Sequence, residues 1–191
     1  MRRPFGGFAE YATHDSRTLT THPDVSDTLA ASSPCTGGVG TFAIKIARRF
    51  GVNTVIATAS ADKHNYIQQL GCTHRIDYHN EDVASRVMEI IQNDGVDAMV
   101  ELVKVVEPVH YPDAFTRGLS FHQLSLGAGH QHGPKAWLDI VRAGQATLAL
   151  LASGDIKVPA LEIIDVQQIP EKLMEIRQHH TTGKIVAQLI F

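Results

Sequence analysis

From Val39 onward the apolar positions switch between a helical and an extended period. Val39, Phe42, Ala43, Ile46, Ala47 and Phe50 recur at helical spacing, a single stripe on a helix that Gly51 is placed to end. Thr54 to Ala59 is a β-branched run that predicts a strand, and Ser60 is a suitable N-cap for a helix through Leu70, closed by Gly71. A short strand is expected over His74 to Tyr78. Asn80 is the expected cap of a third helix, with Glu81 and Asp82 in its first turn and Val83, Val87, Ile90 and Ile91 as its apolar positions.

Val96 to Val103 reads as the next strand, and Pro108, Pro112 and Gly118 break the stretch from Lys104 to Gly118 into loop. Leu119 to Leu126 alternates as a strand, Lys135 to Ser153 reads as a helix, and Gln167 to Thr181 reads as another with Ile169, Leu173 and Ile176 on one face. Lys184 to Phe191 is a terminal strand. Alternation of helices and strands is the sequence form of βαβ units with a parallel sheet. The first thirty residues differ: Gly7 to His14 and Arg17 to His22 look like paired extended segments, before a helix start near Ser26 and Asp27.

Composition narrows the classes of function. A chain of 191 residues with 43% hydrophobic and 19% charged positions is globular and needs no disulfide staples. Its 17 basic residues are scattered and outweighed by 20 acidic ones, so no nucleic-acid or anionic-lipid footprint is expected. Two cysteines, Cys35 and Cys72, are too few for a disulfide framework or a four-cysteine zinc site, which fits a cytoplasmic location. Met1-Arg2-Arg3-Pro4-Phe5-Gly6 leads into polar sequence rather than an apolar signal region. The apolar run Ala146 to Ala152, broken by Thr147, is far short of the roughly 20 residues that span a bilayer, so no membrane partner is expected.

Gly37-Gly38-Val39-Gly40 opens the first amphipathic helix. Glycines at a helix N-terminus offer bare backbone N–H groups and a positive dipole end to a phosphate. The spacing is Cys35-x-Gly37-x-x-Gly40, with Cys35 where the first glycine of a dinucleotide fingerprint would stand. On this loop alone, an ordinary turn into a helix and a phosphate site are equally compatible readings.

The longer run resembles the nucleotide-binding domain of the medium-chain dehydrogenase/reductase superfamily. The segments G-G-V-G-T-F-A-I-K-I-A, V-I-A-T-A-S-A-D-K, L-G-C-T-H-R-I-D-Y and D-G-V-D-A-M-V-E-L-V are similar to its zinc-independent quinone oxidoreductase branch and alcohol-dehydrogenase-like neighbours. A-S-G-D-I-K-V-P and H-H-T-T-G-K-I-V-A-Q-L resemble that family's C-terminus, and G-G-F-A-E-Y-A with H-P-D-V-S-D-T-L-A-A resembles the last piece of its GroES-like catalytic domain. The resemblance implies an α/β fold with a Rossmann-like parallel sheet, incomplete because no hydrophobic strand precedes the glycine loop. It further implies residues 1–31 as a short β remnant of the GroES-like domain, 32–183 as the nucleotide-binding domain, and 184–191 as a strand returning to the remnant. The implied activity is NADPH-dependent hydride transfer to a quinone, enone or carbonyl, with a non-catalytic nucleotide-binding or interaction remnant as the alternative. A small-molecule substrate is the implied partner, and a homodimer is compatible with the family.

The choice of nucleotide turns on the second strand. NAD-selective domains place an acid near its end, whereas a 2′-phosphate needs a cation. The strand ends Thr58-Ala59-Ser60, and the next charged residues are Asp62 and Lys63. The resemblance puts Ser60, Lys63 and Tyr78 around a 2′-phosphate and Gly37, Gly38, Val39 and Gly40 at the diphosphate, so NADP(H) is the expected cofactor. Helix capping by Ser60 and solvation of Lys63 are the competing reading, and capping is compatible with phosphate contact.

Other constellations are weaker. His122, His130 and His132 lack a thiolate or carboxylate at ligand spacing, and His179-His180 stands near a helix end that favours a cation. No metal site is expected. Cys35 and Cys72 read as packed small side chains, and no hydrolase, zincin or P-loop motif is present. No catalytic residue is assigned.

Overall fold

A computed structural model of the chain describes residues 39–92, 96–101, 115–123, 133–158, 160–178 and 181–188. The expected extended pair and helix start before Ser32, the glycines Gly37 and Gly38, and the histidines His130, His132, His179 and His180 lie outside the described residues. In chain order the elements are α1 (Val39–Arg49), β1 (Ile56–Thr58), α2 (His64–Gln69), β2 (His74–Ile76), α3 (Val83–Ile90), β3 (Ala98–Glu101), β4 (Ser120–Gln123), α4 (Pro134–Ala152), β5 (Leu161–Asp165), α5 (Ile169–Arg177) and β6 (Lys184–Gln188). Short 3₁₀ turns, Ala61–Lys63 and Val166–Gln168, lead into α2 and α5.

Every described strand pairs in parallel. β1 pairs with β2, β3 with β4 and β5 with β6, giving three two-stranded ladders among the described residues. Parallel neighbours require a crossover, and here α2 carries the chain from β1 to β2 while α5 carries it from β5 to β6. The architecture is the Rossmann-like α/β arrangement that the family resemblance implied, with the parallel pairing that the alternating periods predicted.

α1 is held from two sides. Phe42 is 1% exposed and packs with Leu148 and Leu151 of α4 and with Ile156, flanked by Ile46, Leu150 and Val158. Ile44 joins Leu70 and Cys72 in a second cluster, against Val55, Ala57, Tyr66 and Ile67. Ile44 is not on the predicted stripe, whereas Phe50, which is on it, stands 73% exposed. A helix that covers a sheet and also meets another helix buries two faces, which a one-stripe pattern does not capture. An ion pair of Arg49 with Asp155 at 3.1 Å joins the same two helical regions at the surface.

Two glycines are demanded by close approach. Gly71 has φ +108°, and a Cβ there would lie 2.7 Å from Cγ of Arg48. Gly183 has φ +83°, and a Cβ there would overlap the backbone carbonyl of Ala160, the same carbonyl that accepts the Lys184 N–H at 2.8 Å to open the β5·β6 ladder. The apolar stripe of α5 lies over that ladder, with Ile169, Leu173 and Ile176 lining a cleft of about 90 Å³ with Ile164, Ile185 and Ala187. Lys172, at its rim, bonds Glu162 at 2.8 Å and Glu175 at 2.9 Å, tying α5 to β5 and holding its ammonium well above the usual lysine range.

The third helix corrects a sequence expectation. Asp82, not Asn80, is its N-cap: the Asp82 carboxylate accepts the Ser85 N–H at 2.8 Å, and its carboxyl is held below the ordinary value first by the Ser85 hydroxyl and then by this N–H. Asn80 instead turns back toward Asp77. No helix among the described residues is long and apolar enough to cross a membrane.

Candidate functional site

In a parallel pair the two carboxyl ends lie at one edge, and in open α/β sheets that edge is where ligands bind. Here Ile56, Ala57 and Thr58 of β1 stand opposite His74, Arg75 and Ile76 of β2, and the Ala59 N–H extends the ladder to the Ile76 carbonyl at 3.0 Å. The chain therefore leaves β1 at Ser60 and leaves β2 at Asp77 from the same edge.

On the β1 side, Ser60 is extended (φ −62°, ψ 150°) and the Lys63 N–H donates to its carbonyl at 2.9 Å, closing the turn. Its side chain makes no capping bond to the backbone, contrary to the expectation. The hydroxyl donates instead to the carboxylate of Asp62, the principal cause that holds the Asp62 carboxyl below its ordinary value. Lys63 ends the turn, half-buried, and His64 begins α2, its Nε2 3.1 Å from the Ala59 carbonyl. A carbonyl only accepts, so Nε2 carries a hydrogen.

On the β2 side, Asp77 is 7% exposed. Its Oδ1 accepts the His79 N–H at 3.0 Å and its Oδ2 accepts Nδ2 of Asn80 at 2.6 Å. The carboxyl is held below the usual carboxylate range, first by the His79 N–H and then by Asn80, with the charges of His79 and His64 adding to the effect. The Asp77 N–H donates to Oε1 of Glu81 at 2.7 Å, and the Asp77 carbonyl accepts from the backbone of Asn80 and Glu81, so the turn after β2 is fixed by one residue. Tyr78 projects from this turn, 51% exposed, with its ring against that of His79 at 4.4 Å between centroids.

Of the predicted cofactor residues, Ser60, Lys63 and Tyr78 thus issue from one carboxyl edge. Val39 and Gly40 form the first two residues of α1, where Val39 is 36% exposed and Gly40 half-buried. Sequence reasoning missed His64, Asp77 and His79. The signal available was the run Asp62-Lys63-His64 directly after one strand and Asp77-Tyr78-His79 directly after the next. Burial pushes the Cys72 thiol up, and its Sγ donates to the His74 carbonyl at 2.9 Å, the environment of a packed side chain rather than a nucleophile.

These features define a Rossmann-like α/β unit, and comparison with known proteins gives its family. The model of the family described as zinc-binding dehydrogenase matches residues 38–154, and the chain belongs to that family within the medium-chain dehydrogenase/reductases. The human synaptic vesicle membrane protein VAT-1 homolog is 40% identical over 65 residues, covering 34% of this chain and 16% of that protein. The trans-enoyl reductase tazE of Aspergillus terreus is 40% identical over 58 residues, covering 30% of this chain and 19% of that protein. Among solved structures, Escherichia coli quinone oxidoreductase complexed with NADPH aligns with a TM-score of 0.57 and 20% identity over 81% of this chain and 55% of that one. An NAD-dependent alcohol dehydrogenase aligns with a TM-score of 0.67 and 20% identity over 97% of this chain and 66% of that one. The chain spans less than a fifth of the two curated relatives and between half and two thirds of the two solved chains.

The family's description invokes zinc. Among the described residues no group of three His, Cys, Asp or Glu side chains is placed to hold a metal ion, so no described donor set fits one.

Proposed function

We propose that the chain binds NADP(H) and acts in hydride transfer to a quinone, enone or carbonyl substrate. The observation that carries this reading is the shared edge: Ser60 and Lys63 leave β1 where Asp77 and Tyr78 leave β2. The donor set suits a ribose phosphate. Lys63 supplies N–H donors, and both neighbouring acids are engaged, Asp62 by the Ser60 hydroxyl and Asp77 by His79 and Asn80.

In this reading Lys63 holds the 2′-phosphate, and Ser60 and Tyr78 flank it. The amides of Gly37, Gly38, Val39 and Gly40 receive the diphosphate, and residues 32–183 form the nucleotide-binding domain. The cofactor supplies the hydride, and the protein supplies orientation and exclusion of water. The similarity to a trans-enoyl reductase and to a quinone oxidoreductase crystallised with NADPH supports this acceptor class.

A second reading, NADH, has one observation in its favour: the Asp62 carboxylate reaches back to Ser60 at the end of β1, near where NAD-selective domains place an acid. Thermal unfolding with each nucleotide separates the two. A nucleotide at 100 times its dissociation constant stabilises the folded state by about 2.7 kcal/mol. Stabilisation by NADPH and not by NADH is expected; the reverse selects the second reading, and no shift with either overturns both. Oxidation of NADPH with a panel of small quinones and enones then distinguishes an enzyme from a binder without turnover.

A further inference from the structure

Three residues beyond Lys63, α2 carries Tyr66, whose ring packs half-buried against Ile44 of α1 and against Leu70 and Cys72. We infer that Tyr66 is a positioning residue of the cofactor edge: its hydroxyl closes a hydrogen bond to Thr41 when one ligand fills the 2′-phosphate and diphosphate subsites together, so it favours a nucleotide that bears both phosphates. The inference rests on the proposed NADP(H) reading and adds to it the residue that couples its two anion subsites.

The geometry supports it in three steps. The Tyr66 hydroxyl oxygen is shut off from solvent, and among the described residues no hydrogen bond of ordinary geometry satisfies it. Its polar neighbours are the Thr41 hydroxyl and the Gly183 backbone; burial raises the phenol above its ordinary value, and these two groups pull the other way. A donor buried beside an acceptor but short of a full bond costs free energy that a small approach recovers. The two ends of this contact also lie where the subsites are expected, since Thr41 follows Gly40 in the first turn of α1 and Tyr66 follows the Lys63 turn in α2. Finally, in the phosphorylated cofactor one ribose carries both the 2′-phosphate and the start of the diphosphate, which fixes the spacing between Lys63 and α1. A bond completed only at that spacing contributes to the spanning ligand and not to one held at a single end.

The test uses the full chain and three fragments of the cofactor, 2′-AMP, 5′-AMP and 2′,5′-ADP, titrated calorimetrically. Without ligand, Tyr66→Phe should unfold at the wild-type urea midpoint or slightly above it, because it removes a buried hydroxyl whose bond is not yet made. Its affinities for 2′-AMP and 5′-AMP should stay within about twofold of wild type, while 2′,5′-ADP weakens about fivefold. Thr41→Val should reproduce this pattern, and the double variant should add no further loss. Thr41→Val carries the test if Tyr66→Phe fails to fold. Unchanged affinity of both variants for 2′,5′-ADP, or equal weakening of all three ligands, overturns the role of Tyr66, and the cofactor reading stands if Lys63→Ala still weakens 2′,5′-ADP. Wild-type affinity for 2′,5′-ADP no better than for 5′-AMP, and unaffected by Lys63→Ala, overturns the two together.

Discussion

The side-chain amide of Asn80 donates to Oδ2 of Asp77 at 2.6 Å, while the His79 N–H donates to Oδ1 of the same carboxylate at 3.0 Å. The turn that presents Tyr78 is thus organised around a negative charge. These contacts depress the folded-state value of Asp77 below its unfolded value. The stability they contribute is therefore present above the ordinary aspartate value, about pH 4, and is lost as pH falls through the depressed value. Urea midpoints across the acid range should fall for the wild type and change less for Asp77→Asn, which should be less stable than wild type near neutrality. Parallel acid limbs for the two chains would remove Asp77 from the account.

Gly183 provides a second test. Its positive φ alone makes alanine unfavourable by about 1–3 kcal/mol. Overlap with the Ala160 carbonyl adds to this and acts where the β5·β6 ladder begins. Gly154 is the matched control, with φ +76° and nothing within 4 Å of a Cβ. Gly183→Ala should destabilise the chain clearly more than Gly154→Ala in urea unfolding. Equal losses would mean that the close approach is unimportant.

Phe42 bears on how α1 is anchored. As a fully buried aromatic between α1 and α4, its replacement by alanine should cost about 3–5 kcal/mol, a large share of the 5–15 kcal/mol typical of a domain. Ile44→Val, in the other cluster, should cost about 0.5–1.5 kcal/mol. Phe50→Ala, at an exposed position of the predicted stripe, should be close to neutral. Denaturant midpoints of the three variants check the ranking.

Much of this was legible in the sequence, and the exceptions have physical causes. Helix periodicity located α4 to within one residue at each end, because nineteen residues average over local exceptions. β5 was missed. Leu161-Glu162-Ile163-Ile164-Asp165 buries only Ile164, so neither alternation nor an apolar run marks it as a strand. Asn80 and Asp82 are both good caps, and only the tertiary demand of Asp77 decides between them. At the candidate site, Lys63 and Tyr78 are expectations drawn from the resemblance, whereas His64 is noticed only because its ring is bonded to the carbonyl of Ala59, one residue beyond β1.

The most direct test of the central claim is the affinity of Lys63→Ala for NADPH and NADH, measured side by side with wild type. A charge-assisted contact to the 2′-phosphate is worth about 1.5–3 kcal/mol, so NADPH binding should weaken about ten- to hundredfold while NADH binding stays within about twofold. Equal weakening of both nucleotides, or of neither, would contradict the assignment of this edge to the phosphorylated cofactor.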